Sequence, residues 1–428
     1  MNFTKHFFIL FFLITILPFY SYSVEENRMH SNKIFSKNIN TALLYNGENQ
    51  LSYPIMYLNS DEKLTFSFDD LDADIKDYYY TIIHCNSDWT ESDLMQSEYI
   101  DGFFSYPLID YEFSFNTIQQ YTHYNLIFPE QNLKPTLSGN YILKIFLEGN
   151  PDTTILTKQF YILEERVSIS AVVKQATLID ERNYKQEIDF SIHHEKLYIA
   201  NPFLDIKVIV KQNNRDDNSI TDLTPLFVRN DHLIYDYETE NTFNGNNEFR
   251  HFDIKSIRYL SDRIREMDTD STQTNIYLYS DVSRPFMQYT TIPDLNGEFL
   301  IKKQEAWDSK TEAEYVNVHF SLLADRKVSY GDIYLIGRFT DWELSEEYKL
   351  SFNENSRMYE SSVYLKQGYY NYLYALNDTS TGRVDVSYIE GTHYETQNEY
   401  YIYVYYREIG KTYDQLIGYI KTTSDSLF

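Results

Sequence analysis

From about Leu43 onward the chain breaks into short apolar and aromatic runs separated by Gly, Pro, Asn, Asp and Ser. Runs of this length with turn residues at both ends predict strands rather than helices. Tyr78–Cys85 and Asn140–Leu147 are the strongest, and Gly149-Asn150-Pro151-Asp152 leads from the second into Thr154–Leu163, which predicts a hairpin. Beyond Glu164-Glu165-Arg166 the alternation resumes at Val167–Val173, Gln186–Ile192 and Asp205–Val210. Asn296-Gly297, between Tyr289–Ile292 and Phe299–Ile301, predicts a second tight hairpin. Later strands are expected at Val316–Leu322, Asp332–Ile336, Tyr359–Leu365, Tyr369–Leu376 and Tyr400–Tyr406. Residues 252–268 fit two periods: Ile257, Leu260, Ile264 and Met267 have helical spacing, whereas Phe252 and Ile254 alternate like a strand. No strand–helix–strand alternation occurs, which argues against a parallel nucleotide-binding sheet. The expected fold class is all-β, with about three tandem sandwiches over residues 24–165, 166–302 and 303–428.

The first 23 residues read differently. Lys5 precedes an apolar run, Phe7 to Phe19, that is short for a bilayer span and ends in Ser21-Tyr22-Ser23, small residues where a signal peptidase cuts. A cleaved signal peptide, residues 1–23, is therefore expected, with export and no later membrane-spanning run. No Cys lies beside the cleavage site, which argues against a lipid anchor.

Composition sharpens this picture. The 428 residues include 42 Tyr and 28 Phe, and aromatic side chains suit half-buried pleated surfaces. A formal charge of -27 repels phosphate backbones and anionic membrane surfaces, so nucleic acid is excluded as a partner and a basic protein is favoured. Cys85 is the sole cysteine, so no intramolecular disulfide forms and core burial must carry stability.

Catalytic chemistry is hard to find. There is no Gly-x-Ser-x-Gly elbow and no phosphate-cradling Gly-rich loop. His84 and Cys85 are neighbours on a predicted strand and point to opposite faces, so Cys85 reads as a small buried hydrophobe. Asp69-Asp70-Leu71-Asp72-Ala73-Asp74 spaces carboxylates like a calcium loop, but Ile75 and Thr81 stand where the turn Gly and the closing Glu belong. It reads as a solvated acidic loop. No cofactor, metal site or enzymatic activity is expected.

One stretch points to binding. Ile333-Tyr334-Leu335-Ile336-Gly337-Arg338-Phe339-Thr340-Asp341-Trp342, followed by Gly368-Tyr369-Tyr370-Asn371-Tyr372, resembles the early-set immunoglobulin-like domains that accompany glycogen- and starch-acting proteins. That resemblance implies immunoglobulin-like sandwiches and an alternative role as a periplasmic carbohydrate-binding accessory protein, with Trp342, Tyr369 and Tyr370 stacking on sugar. Packing of Trp342 and Tyr370 in the core is the competing expectation.

Longer motifs run through the chain. They are Leu71-Asp72-Ala73-Asp74, Asp77–Asn86 with Asp88-Trp89, Phe113–Thr117, Tyr121–Tyr124 and Leu137–Tyr141. Gln212–Asn218, Asn247–Asp253, Tyr403–Arg407 and Tyr413–Gly418 continue the series. With them the chain resembles the plug proteins of the type IX secretion system, Asn246 departing from the pattern where a second Gly is usual. The resemblance implies a non-enzymatic periplasmic protein at the inner side of the outer membrane that binds the β-barrel translocon and seals its pore. Arg215, Asp216, Asp217 and Asn218, with Glu248, Phe249 and Arg250, are the candidate interaction residues, either as contact or inter-domain loops or as turn chemistry and internal ion pairs.

Overall fold

The computed structural model describes residues 30–424, so the expected signal peptide lies outside the described residues. Within them the chain is all-β, with helices of a single turn only. No helix among the described residues is long and apolar enough to cross a membrane.

The first unit pairs two sheets across one core. One sheet holds, in order, Lys33–Ile34, Asn150–Leu163, Gly139–Leu147, Tyr78–Cys85 and Tyr106–Pro107, with Ile55–Tyr57 parallel to Asn150–Leu163. The other holds Ile39–Asn46, Leu64–Asp70, Thr122–Phe128 and Asp110–Phe113. The predicted hairpin forms: Gly139–Leu147 is antiparallel to Asn150–Leu163, and Gly149 in the turn takes φ +74, which a side chain disfavours. Alternation on the facing strands sends Phe66, Phe68, Tyr78, Tyr80, Tyr124 and Tyr141 inward, all fully buried. Each such side chain contributes roughly 1.5–3 kcal/mol through area removed from water.

The second unit departs from the expected boundaries. Its first sheet contains Ser168–Gln175, Lys185–His193, His232–Tyr235, Phe227–Val228 and Thr242–Asn244. Its second joins Ile206–Gln212 to Glu399–Tyr406 and Gln415–Thr423. The last two strands therefore belong to the middle unit, and the segment between is an insertion. The expected division at 302/303 is corrected accordingly. The reason lies in Glu399–Tyr406, buried at every position after its first. Tyr400, Ile402, Val404 and Tyr406 enter the middle core, while Tyr401, Tyr403 and Tyr405 face the first unit. A strand apolar on both faces carries no mark of the sheet it joins.

The inserted third unit is one hydrogen-bonded path: Arg250–Asp253, Gly368–Asp378, Gly331–Ile336, Lys349–Asn353, Met358–Lys366, Tyr315–Leu323, Thr274–Leu278 and Ile264–Thr269. The path folds back so that Phe252, Ile276, Phe320, Leu335 and Tyr372 share a core. Residues 252–268 resolve as two strand segments joined by turns, and the helical spacing is incidental because Leu260 points to solvent. The Asn296-Gly297 hairpin does not form. Phe299–Ile301 pairs with Gly368–Tyr370, and residues 289–292 are not a strand.

Candidate functional site

The three units meet through buried polar contacts, and several of the buried charges lie at these junctions. Asp69 is the penultimate residue of the Leu64–Asp70 strand of the first unit, and its side chain faces the third. Its carboxylate accepts from Lys366 Nζ at 2.6 Å and Tyr315 Oη at 2.7 Å, both of the third unit, and lies 2.7 Å from Nδ1 of His123. Burial acts to raise the Asp69 carboxyl, yet Lys366 and His123 outweigh it and hold it below the usual range. The Lys366 ammonium also sits 4.1 Å from the centre of the Tyr121 ring. Nearby, the Glu314 carboxylate accepts from the backbone N–H groups of Ile118 and Gln119.

Tyrosine fills the junction of the first and middle units. Tyr161 stacks on Tyr403 at 4.9 Å between ring centres, and Tyr53 meets Tyr401 at 4.6 Å. Lys211 donates to the Tyr161 hydroxyl at 3.1 Å, and the Tyr405 hydroxyl donates to Asn140 Oδ1 at 2.8 Å. At the edge of this layer Asp414 accepts from Arg407, Lys207 and, across the junction, Ser87 Oγ at 2.7 Å. Burial opposes ionisation there, but Arg407, Ser87 and Lys207 draw the Asp414 carboxyl down to about 2.

A cavity of about 80 Å³ lies where the first and third units meet, lined by Thr41, Tyr53, Lys158, Glu298, Arg338 and Asp341. It is far below the few hundred Å³ of an organic ligand pocket. Lys158 donates to Asp341 at 2.7 Å across the junction. Burial lifts the Glu298 carboxyl to about 7, against Arg338 and the Tyr53 hydroxyl.

The proposed interaction residues fall inside these contacts. Arg215 is buried, bonded to Asp217 at 2.6 and 2.9 Å, with its guanidinium carbon 5.1 Å from the Trp342 ring centre. Asn218 donates to Gln212, and Asp216, exposed, pairs with Lys211. Glu248 is buried and its carboxyl is pushed up by that burial to about 7; it accepts from the Gln397 N–H and the Tyr289 hydroxyl. Phe249 packs at 6.0 Å against Trp342. Arg250 pairs with Asp281 and Glu390 inside the third unit. Arg215, Glu248, Phe249 and Arg250 thus act inside the fold and between units, as inter-domain contacts and internal ion pairs, while Asp216 and Asp217 face outward.

The sugar-stacking expectation meets the same obstacle. Tyr370 is buried between Phe252 and Phe299, and Trp342 is buried beneath Arg215. Tyr369 is half-buried and stacked on His251. Neither Trp342 nor Tyr370 offers the open ring face that a sugar requires. The carboxylates of Asp70, Asp72 and Asp74 do converge within ligand distance of one another, but the Lys76 ammonium occupies their centre at 2.8, 2.5 and 3.3 Å. Asp69 and Asp70 are wholly buried, which corrects the reading of that segment as a solvated loop. Leu64, Phe66 and Phe68 alternate inward, and the same alternation carried two residues further would have placed Asp70 there. Cys85 is buried, and burial pushes its thiol up; His84, buried against Ser92 and Ser138, is driven down to about 4 and is neutral.

Residues 39–164 match the family model described as "Type 9 secretion system plug protein 1st domain". The fold is similar to a crystal structure, at 2.30 Å resolution, of a hypothetical protein from Parabacteroides merdae ATCC 43184. The two share 35% identity over 92% of this chain and 99% of that one, with a TM-score of 0.89. No curated protein matches.

Proposed function

The chain belongs to the type 9 secretion system plug protein family, and from that premise we propose that it is a periplasmic plug that binds and seals the outer-membrane translocon of that system. A plug holds a pore against a concentration difference by keeping its shape, so its domains must not splay. The observation that carries the reading is the way the three units are locked: ion pairs with little or no exposure (Asp69–Lys366, Lys158–Asp341) and the tyrosine layer around Tyr161 and Tyr403 all cross unit boundaries. Buried pairs that are broken leave an unpaired charge in a dry site, so separation of the units is costly. The role needs no catalytic step, and the chain supplies shape and surface.

The test is affinity isolation of a tagged chain from native outer membranes. Recovery of the translocon barrel is expected, and a strain lacking the protein should admit a large antibiotic through the unsealed pore. Isolation without the barrel, together with unchanged permeability, would overturn the reading. The carbohydrate-binding alternative is disfavoured by the burial of Trp342 and Tyr370 and the stacking of half-buried Tyr369 on His251.

A further inference from the structure

We infer that the plug meets its translocon through the outer edge of the Asp110–Phe113 strand and the apolar strip beside it, taking as occupant an extended translocon segment that is apolar with flanking Lys or Arg. The inference rests on the plug reading and adds the surface it uses. Asp110–Phe113 ends its sheet: it pairs with Thr122–Asn125 on one side, and among the described residues no strand pairs with the other. An unpaired edge offers backbone N–H and C=O groups in register for another strand.

Apolar side chains stand open along this edge. Ile109, Phe113 and Phe115 are exposed at 73%, 52% and 71%. Across the unit boundary the Phe115 N–H donates to the Thr311 carbonyl in the one-turn helix Ser309–Glu312, and the fully exposed Trp307 lies just before that helix. Tyr111 anchors the strand by packing on Tyr124 in the core, so the edge is rigid where it is open. Large apolar side chains left exposed along an unpaired strand edge mark an interaction site.

Charge selects the occupant. Between Lys76 and Lys134 the chain has no Lys or Arg and nine Asp or Glu, with Asp110 and Glu112 on the strand itself. Edge strands are commonly protected from pairing by Lys, and here that cation is missing. A partner strand with basic flanks is attracted, whereas a second copy of this acidic edge is repelled.

The test places p-benzoylphenylalanine at Phe113 or Phe115, and at Tyr198 in the middle unit as an exposed control, in the full chain within native outer membranes. Crosslinks to the translocon barrel from 113 and 115 but not from 198 are expected. Phe115→Asp should weaken binding to the purified barrel about tenfold or more with unchanged melting. Glu112→Lys should weaken it at low salt, with the effect vanishing at high salt. Co-isolation of the barrel with crosslinks only from 198, crosslinks to a second copy, or tighter binding by Glu112→Lys would overturn this surface and leave the plug reading standing. Absence of any co-isolation would instead remove the plug reading itself.

Discussion

The guanidinium of Arg215, from the middle unit, lies over the indole of Trp342, from the inserted unit, with 5.1 Å between the guanidinium carbon and the ring centre. The sequence offered each residue either as part of a binding surface or as an internal contact, and in the fold each is the other's buried partner. Asp217 holds the guanidinium by its Nε and Nη2 edge.

Arg215→Met should therefore destabilise the protein by about 1–2 kcal/mol, combining the lost ring contact and the hydrogen bonds to Asp217. Arg215→Lys should not restore it, since an ammonium cannot lie flat on the ring while making the fork to Asp217. A double-mutant cycle with Trp342→Leu, read by urea denaturation, should return a coupling of about 1 kcal/mol. A coupling of zero would reduce the contact to mere adjacency.

The Asp69–Lys366 pair joins the first and third units with 1% of either side chain exposed. Asp69→Asn leaves the Lys366 ammonium buried beside a neutral group and should cost about 3 kcal/mol or more. The double variant Asp69→Leu with Lys366→Met should recover much of that loss. Denaturation should also separate into two transitions in the single variant if the junction is what couples the units.

Two carboxylates give opposite pH responses. Asp414 has a folded value near 2, below that of an unfolded carboxyl, so its stabilisation is present above about pH 4 and lost as pH falls toward 2. That term amounts to ~2 kcal/mol. Glu298 has a folded value near 7, raised by burial, so the folded state keeps a proton that the unfolded state has released between about pH 4.5 and 7. Stability from this group falls across that window as pH rises, by ~3 kcal/mol. Glu298→Gln, which keeps an oxygen for the Tyr53 hydroxyl, should be more stable than the parent at pH 8 and nearly equal to it at pH 4. Equal stability at pH 8 would show that Glu298 stays ionised at little cost.

Lys76 stands where a cation would bind among Asp70, Asp72 and Asp74. Calcium and EDTA should each leave the melting temperature of the parent unchanged. Lys76→Ala removes the resident ammonium, and its melting temperature should drop in EDTA and rise with millimolar calcium. A calcium response in the parent would mean that the ammonium yields to the ion.

The short runs bounded by turn residues determined the all-β class and the position of most strands, because a strand's period of two is a local property of backbone geometry. The Gly139–Leu147 and Asn150–Leu163 hairpin was legible for the same reason, its partners lying two residues apart in the chain. The long motifs such as Asp77–Asn86 likewise marked the family from sequence. Only the tertiary structure decided which sheet receives Glu399–Tyr406, since a strand with tyrosine on both faces fits between any two layers that can bury it. It also decided the fate of Arg215, Trp342, Glu248 and Asp69: whether a polar or aromatic side chain meets solvent or another domain depends on neighbours more than a hundred residues away. Alternation along a strand marks which face turns inward, but which neighbour covers a side chain at a junction is a property of the assembled layers.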